Sequence, residues 1–327
     1  MLTVRIVYSA RMQHVRGVVA SLVGAILLLF LLWVPTHPVF ERALDGASRV
    51  SRQPPLHVLF GGDIMLDRSL RTAADAKGGD SLFACLDPLL VSADLAIANL
   101  EGPITPYDSV SVGSLPGDGH NYTFTFPLSS AGLLASHRIA AVSLGNNHIT
   151  NFGWDGVRST MHALDAAQVG HFGDPISHGV YEASRGDIRI AIIGYNQFDP
   201  VGWRVAADTA LTQIAREKSL GFMPVVFSHW GDEYSPATDG EKTLAHAFVD
   251  AGAVLVVGAH PHVVQEHEMY HDAPIYYSLG NLIFDQYWEY AVSHGLMIEA
   301  TFDQGRVTGI EEIPIELRRD RSTCPVG

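Results

Sequence analysis

Residues 224–265, PVVFSHWGDEYSPATDGEKTLAHAFVDAGAVLVVGAHPHVVQ, narrow the possible folds more than any other part of this 327-residue chain. Pro224–Phe227 is a short apolar run that passes into Ser228-His229-Trp230-Gly231, and Ala253–Gly258 is a second that passes into His260-Pro261-His262. Between them, Thr238-x-x-Glu241 has the capping-box pattern, and Leu244, Ala247, Phe248 and Ala251 then share one helical face. Gly252 supplies a stop. The unit reads as strand, helix, strand, with three imidazoles delivered where strands end. Open α/β sheets bind ligands outside the carboxyl ends of their strands. The stretch therefore reads as half of a metal site.

The rest of the chain repeats the pattern. His57–Asp63 is an apolar strand ending in Gly61, Gly62 and Asp63, where the carboxylate is either a ligand or a structural strand end. A helix is expected over 81–91, and a second strand over 93–99 stops at Asn99 and Glu101, which alternate with Leu100 and can point to one face. A turn or cap is the rival role for Asn99. Residues 105–127, rich in Gly, Ser, Pro and Asp, form a long loop. Ile139–Leu144 is the third strand, ending in Gly145-Asn146-Asn147-His148, and Gly153–Val169 has helical spacing. Ile188–Tyr195 is a strand without a ligand, and 196–217 gives a loop and a short helix. Pro274–Asp285 reads as a strand and a glycine turn, where Asn281 either lines the same mouth or only shapes the turn. His267 and His271 read as solvated loop residues. Strands over 295–302 and 306–314 close the sheet, and Ser322–Gly327 reads as a frayed end.

Asp63, Asn99 and Glu101, Asn147 and His148, His229, and His260 and His262 each follow an apolar run by one to four residues. Mixed oxygen and nitrogen donors of this kind suit Mn²⁺, Zn²⁺ or Fe, as one or two ions, rather than a thiolate-bound structural zinc. A pair of such ions would clamp an oxyanion and lower the pKa of a bridging water. A nearby imidazole could protonate a leaving group.

Composition bounds the partners. Gly17–Val34 is a stretch of 18 residues without a charge, preceded by Arg5, Arg11 and Arg16 and followed by Pro35. It reads as a single-pass anchor with residues 1–16 cytoplasmic, 35–55 a linker, 56–315 a domain outside the cytoplasm and 316–327 a tail. A cleaved signal peptide or a mischosen start codon is the alternative. The whole chain carries a net charge of −14, and the first 55 residues hold six Arg and two acids, so the remainder stands at −18. That field disfavours nucleic acid as a partner. Cys85 and Cys324 are too few for a disulfide framework. Export would permit one bridge, but Cys85 in an apolar segment reads first as a small buried hydrophobe.

Six motifs in series carry a more specific resemblance. Gly61–Arg68, Asn99–Thr105, Ser143–His148, His229–Tyr234, Val257–Gln265 and Tyr277–Asp285 resemble the CapA family of capsule and poly-γ-glutamate synthesis proteins, related to calcineurin-like metallophosphoesterases. The resemblance implies a four-layer α/β/β/α metallophosphatase-like sandwich around a metal rim. It implies Asp63, Glu101, Asn147, His229, His260 and His262 as metal ligands, His148 as the group that assists the leaving group, and Asn99 and Asn281 as further lining. Where the phosphoesterases place a histidine two residues after the first aspartate, this chain has Met65, a loss that the resemblance extends to the family. One of two metal positions thus lacks a nitrogen ligand, which leaves a mononuclear or weak second site open. The expected partners are an anionic cell-surface polymer, poly-γ-glutamate or a related capsule, and a membrane synthase or export complex. Three readings compete: a metal-dependent hydrolase or transferase on that polymer, a non-catalytic accessory protein of export, and an extracytoplasmic phosphoesterase unrelated to capsule.

Overall fold

The structure is a computed structural model that describes residues 2–7 and 53–326. The expected anchor over 17–34 and most of the linker over 35–55 lie outside the described residues. Among those described, no helix is long and apolar enough to cross a membrane.

The strands are β1 (Leu2–Val7), β2 (Leu56–Ile64), β3 (Leu95–Leu100), β4 (Ile139–Ser143), β5 (Gly170–Phe172), β6 (Val180–Arg185), β7 (Ile188–Asn196) and β8 (Met223–His229). They continue with β9 (Leu255–Ala259), β10 (His267–Tyr270), β11 (Ala273–Tyr276), β12 (Asn281–Ile283), β13 (His294–Asp303), β14 (Arg306–Leu317) and β15 (Thr323–Pro325). The helices are α1 (Arg68–Lys77), α2 (Asp87–Ser92), α3 (Ser129–Ser136), α4 (Gly153–Ala167), α5 (Trp203–Ser219), α6 (Asp239–Ala251) and the single turn α7 (Tyr290–Ser293).

Two sheets result. One runs β15-β14-β13-β2-β3-β4-β5, with β12 added beside the end of β2; the other runs β1-β6-β7-β8-β9-β11-β10. The centre of each is parallel, β2 through β5 in the first and β7, β8, β9 and β11 in the second; antiparallel strands close both flanks of the second and the β13 side of the first, whose other edge is the parallel β5.

Side-chain alternation sets the layers. Along β2, Val58 and Phe60 pack into a core shared with Ile190, Ile192, Val225, Phe227 and Val257 of the other sheet. Leu59 and Ile64 turn the other way, into a core with Leu70 of α1, Leu134 of α3 and Val157 and Leu164 of α4. In the second sheet Ile193, Val226 and Val256 face Ala210 and Ile214 of α5 and Phe248 of α6. A period of two in strands that are apolar on both faces puts one core between the sheets and one on each outer face. The layers are therefore helix, sheet, sheet, helix. The expected α/β class holds.

The helix between the two histidine strands forms as its cap dictates. Glu241 N–H donates to Thr238 Oγ1 at 3.3 Å, and Thr238 N–H donates back to the Glu241 carboxylate at 2.8 Å. Its buried face centres on Ala245, Phe248 and Val249, about one position round from the expected stripe, with Leu244 and Ala251 at the margin.

Other expectations need correction. The helix expected over 81–91 is a 3₁₀ turn at Gly79–Leu82 followed by α2, because Pro88 has no N–H to extend a preceding helix and is at home only in a first turn. The short helix of 196–217 is α5, 17 residues long. His267 begins a strand, although its side chain and that of His271 are exposed as expected. The described part of the expected frayed end, 322–326, is ordered by pairing: Thr323–Pro325 pairs antiparallel with β14, and Cys324 is disulfide-bonded to Cys85. Cys85 is therefore no free hydrophobe. The bridge spans 239 positions, a separation at which spacing carries no signal.

Candidate metal centre

The parallel strands end at a common rim. Across the first sheet Asp63 stands opposite Asn99, Asn99 opposite Ser143, and Asn281 opposite Asp63. Across the second, Asn196 stands opposite His229 and His229 opposite Ala259, one residue before His260. Close approach of backbones makes this possible: a Cβ on Gly62 would lie 1.7 Å from the carbonyl oxygen of Gly280, so only glycine lets β2 meet the turn that carries Asn281. His260 and His262 adopt φ of 100° and 59°. Non-glycine residues pay roughly 1–3 kcal/mol for such conformations, which cluster at functional sites. The backbone N–H of His260 donates to Asp63 Oδ2 at 3.1 Å, fixing one strained residue against the first carboxylate.

Two triads emerge, Glu101 with His229 and His260, and Asp63 with Glu101 and His262, each with ligand atoms within 4.8 Å of one another. Glu101 belongs to both. It is fully buried, and neither of its carboxylate oxygens has a hydrogen-bond partner among the described residues; His260 Nδ1 has none either. An ionised carboxylate is rarely buried without a compensating charge. Oxygens and imidazoles converging on an orphaned carboxylate form a donor set that a divalent cation fits.

The remaining expected residues are also here, and several hold others in place. Asn99 Nδ2 donates to Asp63 Oδ1 at 2.8 Å and to His229 Nδ1 at 3.3 Å. His229 Nε2 lies 2.9 Å from Asn147 Oδ1. Both contacts are satisfied by the neutral ring with its proton on Nε2. His262 Nδ1 lies 3.0 Å from Asn281 Oδ1, whose amide nitrogen is in turn tied to Gln286 and to the carbonyls of His262 and Val292. Carboxamides at this distance from an imidazole orient it, as outer partners of metal ligands do. His148 Nδ1 faces Asn151 Oδ1 at 3.2 Å, which leaves Nε2 toward Glu101 Oε1 at 3.8 Å. Met65 is buried in the core, where its sulfur accepts the Asp67 N–H, and offers nothing to the rim.

Burial dominates the electrostatics. It holds His229 well below the usual imidazole range, with the neighbouring rings of His260, His148 and His262 adding to the effect. It lowers His260 to about 3 and His148 to about 4. The rings are therefore neutral at pH 7, the form that ligates a metal or accepts a proton. Burial, followed by the charge of Asp63, raises Glu101 well above the carboxylate range. A bound cation would invert that preference.

Four residues of the site lay outside the sequence reading. Asn146, buried, donates to Asn99 Oδ1 at 3.1 Å and to the Leu100 carbonyl at 2.8 Å, bracing the ladder of amides. The Phe198 ring lies 4.5 Å from that of His260. Tyr234 lies 5.9 Å from His262, ring to ring, and Arg68 sits over Phe124 and Phe284, the two rings that touch His148 and His262. Arg68 and Tyr234 stand inside the conspicuous motifs, but an isolated arginine or tyrosine gives no sign of what it will face.

Comparison with known proteins places this rim in context. A family model described as bacterial capsule synthesis protein PGA_cap matches residues 57–286, a range that contains every expected site residue from Asp63 to Asn281. The chain is 30% identical over 250 residues to the PGA biosynthesis protein CapA of Bacillus subtilis, covering 71% of this chain and 64% of that one. It is 27% identical over 277 residues to the capsule biosynthesis protein CapA of Bacillus anthracis, covering 79% and 66%. A probable polyglutamine synthesis accessory protein of Mycobacterium tuberculosis is 26% identical over 220 residues, covering 59% and 56%. The chain thus spans less than two thirds of the length of these relatives.

Proposed function

We propose, from the premise that this chain belongs to the PGA_cap family of bacterial capsule synthesis proteins, that it is a metal-dependent hydrolase or transferase acting on poly-γ-glutamate or a related capsular polymer during its synthesis or export. One observation carries the reading: Glu101, buried and without a hydrogen-bond partner, is shared by two triads of potential ligands. The layering of helix, sheet, sheet and helix around a rim of Asp, Asn and His supports a relation to the metallophosphatase sandwich. Asp63, Glu101, His229, His260 and His262 would hold one or two ions of Mn, Zn or Fe, with Asn147 beside them. Bound there, such an ion supplies an activated water and neutralises charge that develops on the scissile group. His148, neutral and with Nε2 free, would accept a proton from the nucleophile and return it to the leaving group. Asn99, Asn146 and Asn281 keep the carboxylates and imidazoles in register while this happens.

The protein's setting belongs to the same proposal: the folded domain outside the cytoplasm, and a membrane synthase or export complex as partner. The Cys85–Cys324 disulfide supports it, since such bonds persist in oxidising compartments. A single-pass anchor over 17–34 with residues 1–16 cytoplasmic is not carried into it, because such a span would part Leu2–Val7 from β6, with which that strand pairs in the second sheet.

A non-catalytic accessory role is the second reading, favoured by Met65, which removes one nitrogen donor. Elemental analysis of the purified full chain, followed by sizing of poly-γ-glutamate incubated with it, separates the two. One or two equivalents of metal, lost in His229→Ala/His260→Ala together with any change in polymer length, is the expected result. Protein that holds no metal even after Mn²⁺ or Zn²⁺ is added would sink the catalytic reading.

A further inference from the structure

A groove of about 980 Å³ opens beside the candidate metal centre. Its near end is formed by Arg68, Tyr234 and Gln286, and its far end by Lys77, Arg319 and Arg321. The two regions are joined through shared side-chain contacts. Arg68 shares Phe124 with His148 and Phe284 with His262, and Tyr234 accepts a hydrogen bond from Gln286 at 3.1 Å while its ring leans toward His262.

The sign of its charge opposes that of the rest of the molecule. Four cations face the groove against two carboxylates, Asp285 and Asp320. Both carboxylates are already engaged: Asp285 pairs with Arg68 and accepts from Ser69 Oγ at 2.7 Å, and Asp320 accepts from the N–H and hydroxyl of Ser322. The three distal cations donate to carbonyls, and Arg321 also lies over the Tyr287 ring, 4.9 Å from its centroid. Lys77 Nζ donates to the Asp320 carbonyl, Arg319 to that of Tyr287 and Arg321 to that of Arg319. Among the described residues none of the three is in an ion pair. Their charge is available to a ligand, in a chain whose net charge is −14.

Arg319 and Arg321 lie beyond residue 286, where the match to the family model ends. They are held in the groove by the hairpin of β14 and β15 and by the bond from Cys324 back to Cys85. We propose that this groove is the binding track for an extended polycarboxylate chain, with Lys77, Arg319 and Arg321 as distal subsites that lead one end of the chain past Arg68 to the metal centre. The assignment rests on the reading of the protein as one that acts on an anionic polymer, and adds where the polymer lies and which residues of this chain grip it.

Fluorescence anisotropy of end-labelled poly-γ-glutamate with the full chain tests it. Wild type binds, with an affinity that falls as salt rises. Lys77→Ala/Arg319→Ala/Arg321→Ala, which removes side chains outside the core, weakens binding roughly tenfold with metal content unchanged, and Lys218→Ala on another face has no effect. Equal binding by wild type and the triple variant would overturn the track, as would binding of polyphosphate without binding of poly-γ-glutamate. Metal content in the same preparations reports separately on the catalytic reading: a variant His229→Ala/His260→Ala that loses metal yet still binds polymer supports the groove as an independent element.

Discussion

Glu101 decides the character of the site at the scale of single residues. Without a cation its buried carboxylate favours the protonated form, whereas its imidazole neighbours favour the neutral one. The histidines set the acid side of the stability curve. Their folded pKa values are lowered, so the unfolded chain binds more protons below about pH 6.5 and stability is lost as pH falls through that value. Glu101 works in the opposite sense: its raised pKa contributes stability at low pH that is lost as pH rises above about 4.5. We expect chelator-treated protein to melt at progressively lower temperature from pH 7 to pH 5, and Glu101→Gln to raise the melting temperature of that metal-free form at pH 7 while abolishing metal binding. Thermal scans with and without chelator check both. A variant less stable than wild type in chelator would mean that Glu101 is held by interactions other than those described. These residues were legible in the sequence because each ends an apolar run, and the eye can follow such endings. Asn146 was visible in the same motif, but its role as a brace depends on Asn99 and Leu100 from a different strand.

At the scale of elements, local signals served best. The capping box over Thr238 and Glu241 was readable because both partners lie within one turn; Thr238→Ala should cost about 1 kcal/mol, measured by urea unfolding, with metal content retained. The C-terminal strand was not readable. Its three residues carry no periodicity, and what holds them is pairing with β14 and a bond to Cys85. Cys85→Ser/Cys324→Ser should lower stability by ~2–4 kcal/mol, and reducing agent should do the same to wild type and nothing to the variant. If reductant shifts both equally, the bond is not what stabilises this edge.

At the scale of the whole molecule, the potential ligands gathered around Glu101 come from both sheets, so metal and fold are linked. Saturating Mn²⁺ or Zn²⁺ at a hundred times its dissociation constant should stabilise the protein by about 2.7 kcal/mol, seen as a rise in melting temperature at pH 7 that vanishes in His229→Ala/His260→Ala. The α/β class was plain from apolar runs alternating with helical spacing. How two sheets stack was not plain from that pattern and entered only through the family resemblance, because the alternation that splits β2 between two cores reads the same whichever sheet lies opposite. Arg319 and Arg321 fall within the stretch 316–327 that reads as a tail, for a similar reason: only the returning hairpin puts them in a groove with Arg68.

The order of strands carries a consequence for how the chain is made. β2, the first strand of the large sheet, lies between β3 and β13, and β13 is followed outward by β14 and β15. During synthesis from the N-terminus, one whole edge of β2 stays open until some 240 further residues have emerged. The nascent protein therefore carries an unprotected, strongly apolar strand through all of that interval. Its sheet is sealed only once β13, β14 and β15 have followed, and a chain cut short before His294 would be left with its seam unclosed.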